Sequence, residues 1–550
     1  MSAGDREEAA YTGSIAYAHR GAFWVGITAV STGVLLHLPS YVSSRDMGYR
    51  MVGMRIDGTM MVGMALIVAG IGATAYGLFP RRSDLAGGAV ARIRVQALDE
   101  AAIKPAHVGL LLVMAAAVTI DVMKPTTLAF VVPGAAQEYG LKSPLNPGGS
   151  VPVALLPLAG IGGTVIGSFV WGWLGDRLGR RASILLAGVL FIATSVCGSM
   201  PAFGWNVLMC FVMGLGVGGM LPITFALMAE TIPARHRSWL MVLIGGDVAG
   251  AYVITSWLAS WLEPEFGWRI LWLLGLPTGV LLVLLNRWIP ESPRFLLAAG
   301  RQEDAERVMR RFGATIVEEE GGELSAEEEV PSRFGQLLRR PLGGLTVSVC
   351  LFGLAYGLVN FGFVLWLPTN LRELGYAVVT SDQLLRDSAL IGFPATFVVA
   401  YLYGFWSSKK TMVLLAVLTC ATLSAFVVMG EDSAQSEIVL KALIVLVLIG
   451  SSSVLAVLTP YSSEVYPTRI RSRGTGLAAG ASKIGGVLGI GLVAASVAPP
   501  DLVGSALLGA VATLLSAAAI AVFGIETRRR RLEEIAMESL VGHGRRDPRG

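Results

Sequence analysis

The chain has 550 residues, of which 54% are hydrophobic and only 15% charged, and its mean hydropathy is +0.64. A soluble domain carries about 25% charged residues, so a soluble globular protein is excluded and an all-α, multispanning membrane protein is indicated. The net charge of +4 comes from basic residues scattered over short loops, a pattern that marks topology and excludes a nucleic-acid partner.

Residues 1–20 form a polar tail with Asp5, Glu7 and Glu8. It lacks a basic start and a small-residue cleavage site, so no cleaved signal peptide is expected. Apolar runs at 21–42 and 58–79 flank a loop with Arg45, Asp46, Arg50, Arg55 and Asp57, and a basic segment, 80–106, follows. These residues, 1–106, read as an N-terminal extension with a transmembrane hairpin.

Twelve further spans follow near 107–132, 151–174, 182–200, 205–229, 238–261, 268–289, 344–368, 384–406, 411–430, 438–462, 474–497 and 503–525. The break at 290–343 holds ten acidic and seven basic residues between Arg301 and Arg340. It reads as a soluble linker between two six-helix bundles, 107–289 and 344–525, with a tail at 526–550. All four cysteines (Cys197, Cys210, Cys350 and Cys420) lie in apolar runs without a C-x-x-C pair, so neither a disulfide framework nor a metal site is expected.

Basic residues alternate in number from loop to loop. One set of loops carries three (177–181), two (235–237), about nine (287–340), two (409–410) and three (469–473); the other carries at most two each. The positive-inside rule puts the rich set, and both termini, in the cytoplasm. The outside loop of the first hairpin, with three Arg, is the exception.

The halves share a motif. Glu230, Pro233, Arg235, Arg237 and Ser238 recur as Glu464, Pro467, Arg469, Arg471 and Ser472, each 234 positions later. Each copy follows the fourth span of its half, which indicates two bundles related by an axis along the membrane normal.

Between spans two and three lies Gly172-Trp-Leu-Gly-Asp176-Arg177-Leu-Gly179-Arg180-Arg181. Read alone it is a tight, basic surface loop in which Asp176 can pair with an arginine or cap a helix. The pattern resembles the signature loop of the major facilitator superfamily. Pro290-Glu291-Ser292-Pro293-Arg294 after span six, Glu464-Val-Tyr-Pro467-Thr-Arg469 after span ten and Glu526-Thr527 after span twelve strengthen the resemblance to its sugar-porter and metabolite–proton symporter branches. The resemblance implies the major-facilitator fold, alternating access, and a cytoplasmic latch of Asp176, Arg177 and Arg181 with Glu230, Arg235 and Arg237, and of Glu464 with Arg469, Arg471 and Arg473. The C-half counterpart of the signature loop keeps only Gly404 and Lys409-Lys410, so the halves are unequal at this end. Span seven lacks the paired glutamines of sugar porters, and span five carries Asp247 where they tend to have a glutamine. Both departures point away from hexoses and toward an organic acid or other polar metabolite.

A charge inside the bilayer costs about 2.5–3.5 kcal/mol or more and usually faces a watery cavity. Asp121 and Lys124 lie one helical turn apart in span one, before Pro125. An Asp whose partner changes between two states can carry a proton, whereas a static pair would only tolerate burial. Asp247 lies nine residues past Ser238, so roughly 14 Å into the membrane; it is a coupling or substrate group, or an acid hydrogen-bonded between packed helices. Lys483 lies at similar depth in span eleven and would suit a carboxylate substrate, or else pair with a neighbour or snorkel. Asn360, Tyr356 and Trp366 in span seven are candidate pocket residues, the two aromatics reading equally as packing or lipid-facing side chains. The run Gly214-x-Gly216-x-Gly218-Gly219 follows no strand, so it reads as a helix-packing surface and not a dinucleotide loop.

The expectation is a secondary transporter of a small organic metabolite in the cytoplasmic membrane, monomeric, driven by a proton gradient and needing no cofactor. A sugar uniporter, an efflux antiporter and a non-transporting sensor are the alternatives. No paired catalytic motif suggests an enzyme.

Overall fold

The computed structural model describes residues 19–79, 102–143, 146, 148–285, 288–298, 301–313, 335, 337–429, 436–466, 468–496, 502–528, 530 and 535. Most of the linker and of the C-terminal tail lies outside these. Among the described residues, twelve helices are long and apolar enough to cross a membrane, and Leu155–Trp171 and Ile270–Leu285 are shorter apolar helices at two further expected spans. Among the described residues, β pairing is limited to isolated bridges, Lys142 with Pro152 and Ser143 with Asn146. Lipid offers no partner for a backbone N–H or C=O, so each span satisfies its own as helix.

The hairpin pairs Arg20–Leu35 with Gly58–Leu78. Glycines at heptad spacing make this crossing close. A Cβ on Gly70 would lie 2.7 Å from the Gly26 carbonyl oxygen, and one on Gly33 2.6 Å from that of Gly63. No larger residue fits either position without separating the helices. The hairpin packs along span three, Arg180–Thr194, and joins the core of the N-half through Phe23, Val30, Ile67 and Leu78. Its connecting loop reaches the far end of the bundle. There the Met51 and Val52 amides donate to Glu138 Oε1 at 2.7 and 3.2 Å, and Tyr41 donates to the Phe266 carbonyl at 2.7 Å.

Span one is Pro105–Glu138, span two Leu155–Leu178 and span four Phe203–Thr231. Span five is broken into Ala234–Gly245 and Asp247–Phe266, and span six into Ile270–Leu273 and Gly275–Leu285. In the C-half, span seven runs Gly343–Gly362 and restarts as Leu367–Glu373, and span eight is Val378–Gly392 with Ala395–Tyr401. Spans nine to twelve are Ser408–Met429, Glu437–Val465, Thr468–Ser496 and Leu502–Phe523. Gly214 and Gly218 of span four lie against span two, with Cβ positions 2.0 Å from the Gly160 oxygen and 2.5 Å from the Thr164 oxygen.

The signature stretch is not the open loop its composition suggests. Span two stays helical through Asp176 and Arg177 to Leu178, and the next helix starts at Arg180. The whole turn is Gly179, at φ 91° and ψ 166°, a region essentially restricted to glycine. The amides at the start of the next helix are met from elsewhere in the chain. Glu291 of the motif after span six caps it, accepting from the Arg180 amide at 2.7 Å and the Arg181 amide at 3.3 Å.

The cores show how the halves meet. At the far end, Phe130, Leu141, Trp268 and Leu271 of the N-half share one apolar cluster with Val364, Trp366, Leu371 and Leu385 of the C-half. At the signature-loop end the halves have separate clusters, apart from Val242, which joins that of the C-half. The halves share a core at one end; at the other their cores are separate and they touch along span five.

Candidate functional site

A cavity of about 300 Å³ lies between the halves. Its walls include Asp121, Thr126, Tyr252, Asn360 and Lys483, and they continue to Arg180, Arg237 and Glu464 at the signature-loop end. The buried ion-pair residues of the far end (Glu138, Arg269, Glu263, Arg372 and Asp382) do not line it. The cavity therefore extends from mid-span to one membrane face.

Asp121 is fully buried, lines this cavity, and neither of its carboxylate oxygens has a hydrogen-bond partner among the described residues. Lys483 is the charged group whose field reaches it. The structure does not pair Asp121 with Lys124. One turn along the helix, Lys124 leaves the cavity; its ammonium sits 5.6 Å from the centre of the Phe191 ring, and a Cβ on Gly275 would lie 2.4 Å from it.

Lys483 crosses between the halves. From span eleven it donates to Ser168 Oγ of span two and, at 2.7 Å, to the Gly218 carbonyl of span four. Pro222 lies four residues beyond Gly218 and has no N–H to close the helical bond, so that carbonyl is free to accept. Ser168 Oγ shares it at 2.8 Å. An ammonium has three donors, and the two bonds leave one.

Asp247 begins the second piece of span five and accepts from Thr119 Oγ1 of span one. Its neighbours Val248 and Ala249 line the cavity and Asp247 does not, so it sits as an acid hydrogen-bonded between helices. Asn360 and Tyr356 line the cavity, and Ser451 of span ten donates to Asn360 Oδ1 at 3.2 Å. Trp366 is no pocket residue. A 3-10 turn at Val364–Trp366 carries it into the sealed apolar end, where it is fully buried.

At the signature-loop end Gly172, Asp176, Arg177, Glu230, Arg469 and Arg471 lie on described helices, but their side chains are outside the described residues. Arg181 and Arg237 are buried and Arg235 is exposed, while Arg473 is half-buried and engaged. Arg180 Nη1 donates to the Gly175 carbonyl at 2.6 Å, and the Arg237 guanidinium to that of Ile232 at the end of span four. Glu464 accepts from Ser238 across the halves and from Tyr403 at 3.0 Å.

Two further acids complete this end, and the sequence reading did not single them out as site residues. Glu291 caps span three as described. In the C-half, Glu526 accepts from the Ser408 amide at 2.9 Å, from Ser408 Oγ at 2.7 Å, from Ser407 Oγ and from the Arg528 amide at 3.0 Å. It thus caps span nine as Glu291 caps span three. The signal was a glutamate followed by a hydroxyl residue after the last span of each half, Glu291-Ser292 and Glu526-Thr527. Their electrostatics differ. Burial pushes the Glu291 carboxyl above the ordinary range despite the Ser292 and Arg180 amides. For Glu526 burial also pushes upward, but the Ser407, Ser408 and Arg528 donors outweigh it and hold the group below that range.

The profile of the Major Facilitator Superfamily matches residues 110–490. The chain belongs to that superfamily, and so to a family of transporters and not of enzymes. It is 26% identical over 439 residues to the niacin transporter NiaP of Acinetobacter baylyi, covering 78% of this chain and 97% of that one. It is 29% identical over 397 residues to YdjK of Escherichia coli, described as a putative metabolite transport protein, covering 69% and 84%. A structure of the proton:xylose symporter XylE of E. coli, bound to 6-bromo-6-deoxy-D-glucose, superposes with a TM-score of 0.60 at 18% identity, over 78% of this chain and 98% of that one. That likeness extends to the fold.

Proposed function

We propose that this transporter is a monomeric proton symporter of a small organic metabolite, with Asp121 as the proton carrier and Lys483 as the anchor for an anionic group of the substrate. The observation that carries the reading is the unpartnered Asp121 carboxylate in the wall of the inter-half cavity. Its oxygens are out of contact with water, so an ionised carboxylate there depends on the field of Lys483 and on the open cavity beside it. Closing the cavity would remove the nearby water, at a cost of several kcal/mol. A proton removes that cost, so the halves close readily only over protonated Asp121, which ties substrate movement to proton movement. The remaining donor of Lys483 suits a carboxylate, and the hydroxyl and amide groups of Tyr252 and Asn360 suit polar substituents. The relative named for niacin, a small organic acid, agrees with this class.

The excess of basic residues in its loops supports a cytoplasmic signature-loop end, with the protein in the plasma membrane. On that sidedness the structure is inward-facing. Purified protein screened by thermal shift against organic acids, sugars and cations identifies ligands. Uptake of a ligand into proteoliposomes should follow an inward proton gradient and collapse with a protonophore. Gradient-independent equilibration would support a uniporter, and extrusion against the proton gradient an antiporter.

A further inference from the structure

Two buried arginines at the far end are held in opposite ways. Arg269 lies within the N-half. Its Nε and Nη2 donate to Glu138, with the closest approach 2.7 Å; Nη1 donates to the Met200 carbonyl at 2.8 Å and Nη2 also to Tyr139 at 2.8 Å. Glu138 is completed by the Trp268 indole at 2.9 Å and the two hairpin amides. Every strong partner is satisfied, as suits a pair inside one rigid body.

Arg372 lies on the seam between the halves. One nitrogen, Nη2, serves Glu263 of the N-half at 3.3 Å and Asp382 of the C-half at 3.7 Å. All three side chains are buried, at 8%, 8% and 1% exposure. Glu263 Oε2, Arg372 Nε and both Asp382 oxygens lack hydrogen bonds among the described residues. This cluster must come apart whenever the far end opens, because its members lie on both sides of the seam.

We propose that Glu263, Arg372 and Asp382 form a proton-binding latch, in which two carboxylates facing one guanidinium hold one proton between them while the far end is closed. Two ionised carboxylates against one buried cation leave a net negative charge without water, which costs far more than sharing a proton. When the halves part, water reaches both acids and the proton leaves to it. Closure takes one back from the same side. The groups around the cluster do not replace that proton. The field of Asp382 also reaches Tyr252 on span five. On the next turn of span eight Arg386 is paired with Asp387 at 2.7 Å, and Lys441 of span ten sits 3.5 Å from Asp387. A crevice between the hairpin loop and the end of span five is lined by Arg45, Tyr49, Glu263 and Glu265, so the hairpin frames a path from the surface to the latch. This proton does not cross the membrane and is distinct from the one on Asp121. Acid on the far side, external on the sidedness proposed above, holds the transporter closed there, and a rise in pH releases it.

The test is the distance between spin labels at Ala202→Cys and Ile438→Cys, on the far ends of the two halves, in nanodiscs between pH 5 and 8. Cys350 and Cys420 are replaced by Ser, and Asp121→Asn silences the cavity acid. The short-distance population should dominate at pH 5 and fall by up to tenfold per pH unit through the titration. Asp382→Asn leaves one carboxylate per guanidinium, and the short distance should persist at every pH; Glu263→Gln gives the same readout if the first variant does not fold. A pH-independent distance in the Asp121→Asn parent overturns the latch, as does a pH dependence that survives both substitutions. Failure of Asp121 as proton carrier would instead show as coupled uptake persisting in Asp121→Asn, which leaves the latch result standing.

Discussion

Gly179→Ala should damage this protein out of proportion to the one methyl group it adds. The backbone at Gly179 has φ 91° and ψ 166°, which costs a residue with a Cβ about 1–3 kcal/mol. That Cβ would also lie 2.5 Å from Glu291 Oε2 and 2.9 Å from Phe295 Cε1. Glu291 must then withdraw from the Arg180 amide. Loss of the cap costs about 0.5–2 kcal/mol, and leaving a buried acceptor unsatisfied about 1–3 kcal/mol. Together these give about 2.5–8 kcal/mol. In detergent the Tm should fall by about 2–7 °C. Gly175→Ala on the same helix is the control, because its Cβ meets nothing closer than 3.6 Å. Adding Glu291→Ser to Gly179→Ala should cost less than the sum of the two, since both remove one cap. A Tm for Gly179→Ala equal to that of Gly175→Ala, or full additivity, would refute the coupling of turn and cap.

Three other outcomes follow from the same geometry. Lys483→Met removes two charged hydrogen bonds; the loss of even one, worth about 1.5–3 kcal/mol, should lower the cavity-open population about 10–150-fold, and unchanged maleimide labelling of a cavity cysteine from the signature-loop side would contradict this. Glu526 sits below the ordinary carboxylate range, so its stabilisation is complete above that range and is lost as pH falls through the folded value. Glu291 sits above it, so its contribution is full at acid pH and declines as pH rises through the raised value. Glu526→Gln should therefore destabilise at pH 7 and not at acid pH, whereas Glu291→Gln should be mild at pH 7; equal thermal shifts for the two would reject the distinction. Gly70→Leu should split the hairpin and lower Tm, while Gly72→Leu, whose Cβ has no atom within 4 Å, should not.

The helices and the superfamily were legible because both are local properties. A span declares itself by about twenty apolar residues, and the Glu-x-x-Pro-x-Arg repeat lies within nine positions of each half. What escaped depends on tertiary contact. Nothing near Gly179 shows that the stretch Gly172–Leu178 is helix, because the residue that ends the turn is Glu291, more than a hundred positions away. The apparent inequality of the halves at this end is a difference of side chains laid over a shared device, since Ser408 keeps the capped amide that Arg180 offers. Lys483 looked solitary because its partners are a serine and a carbonyl exposed by a proline in the other half. Trp366 looked like a pocket residue because its span was taken as one helix, and the break at Val364–Trp366 turns it into the seal. Asp121 was visible as a charge out of place, but its cavity belongs to both halves at once.

On the mechanism proposed above, Asp121 couples a proton to transport. The most direct measurement compares wild type and Asp121→Asn in proteoliposomes, for one identified ligand, as accumulation driven by a pH gradient and as exchange under counterflow without one. Asp121→Asn mimics the protonated acid, so the halves should still close over substrate: counterflow should persist and gradient-driven accumulation should vanish. Accumulation in Asp121→Asn equal to that of wild type would contradict the account.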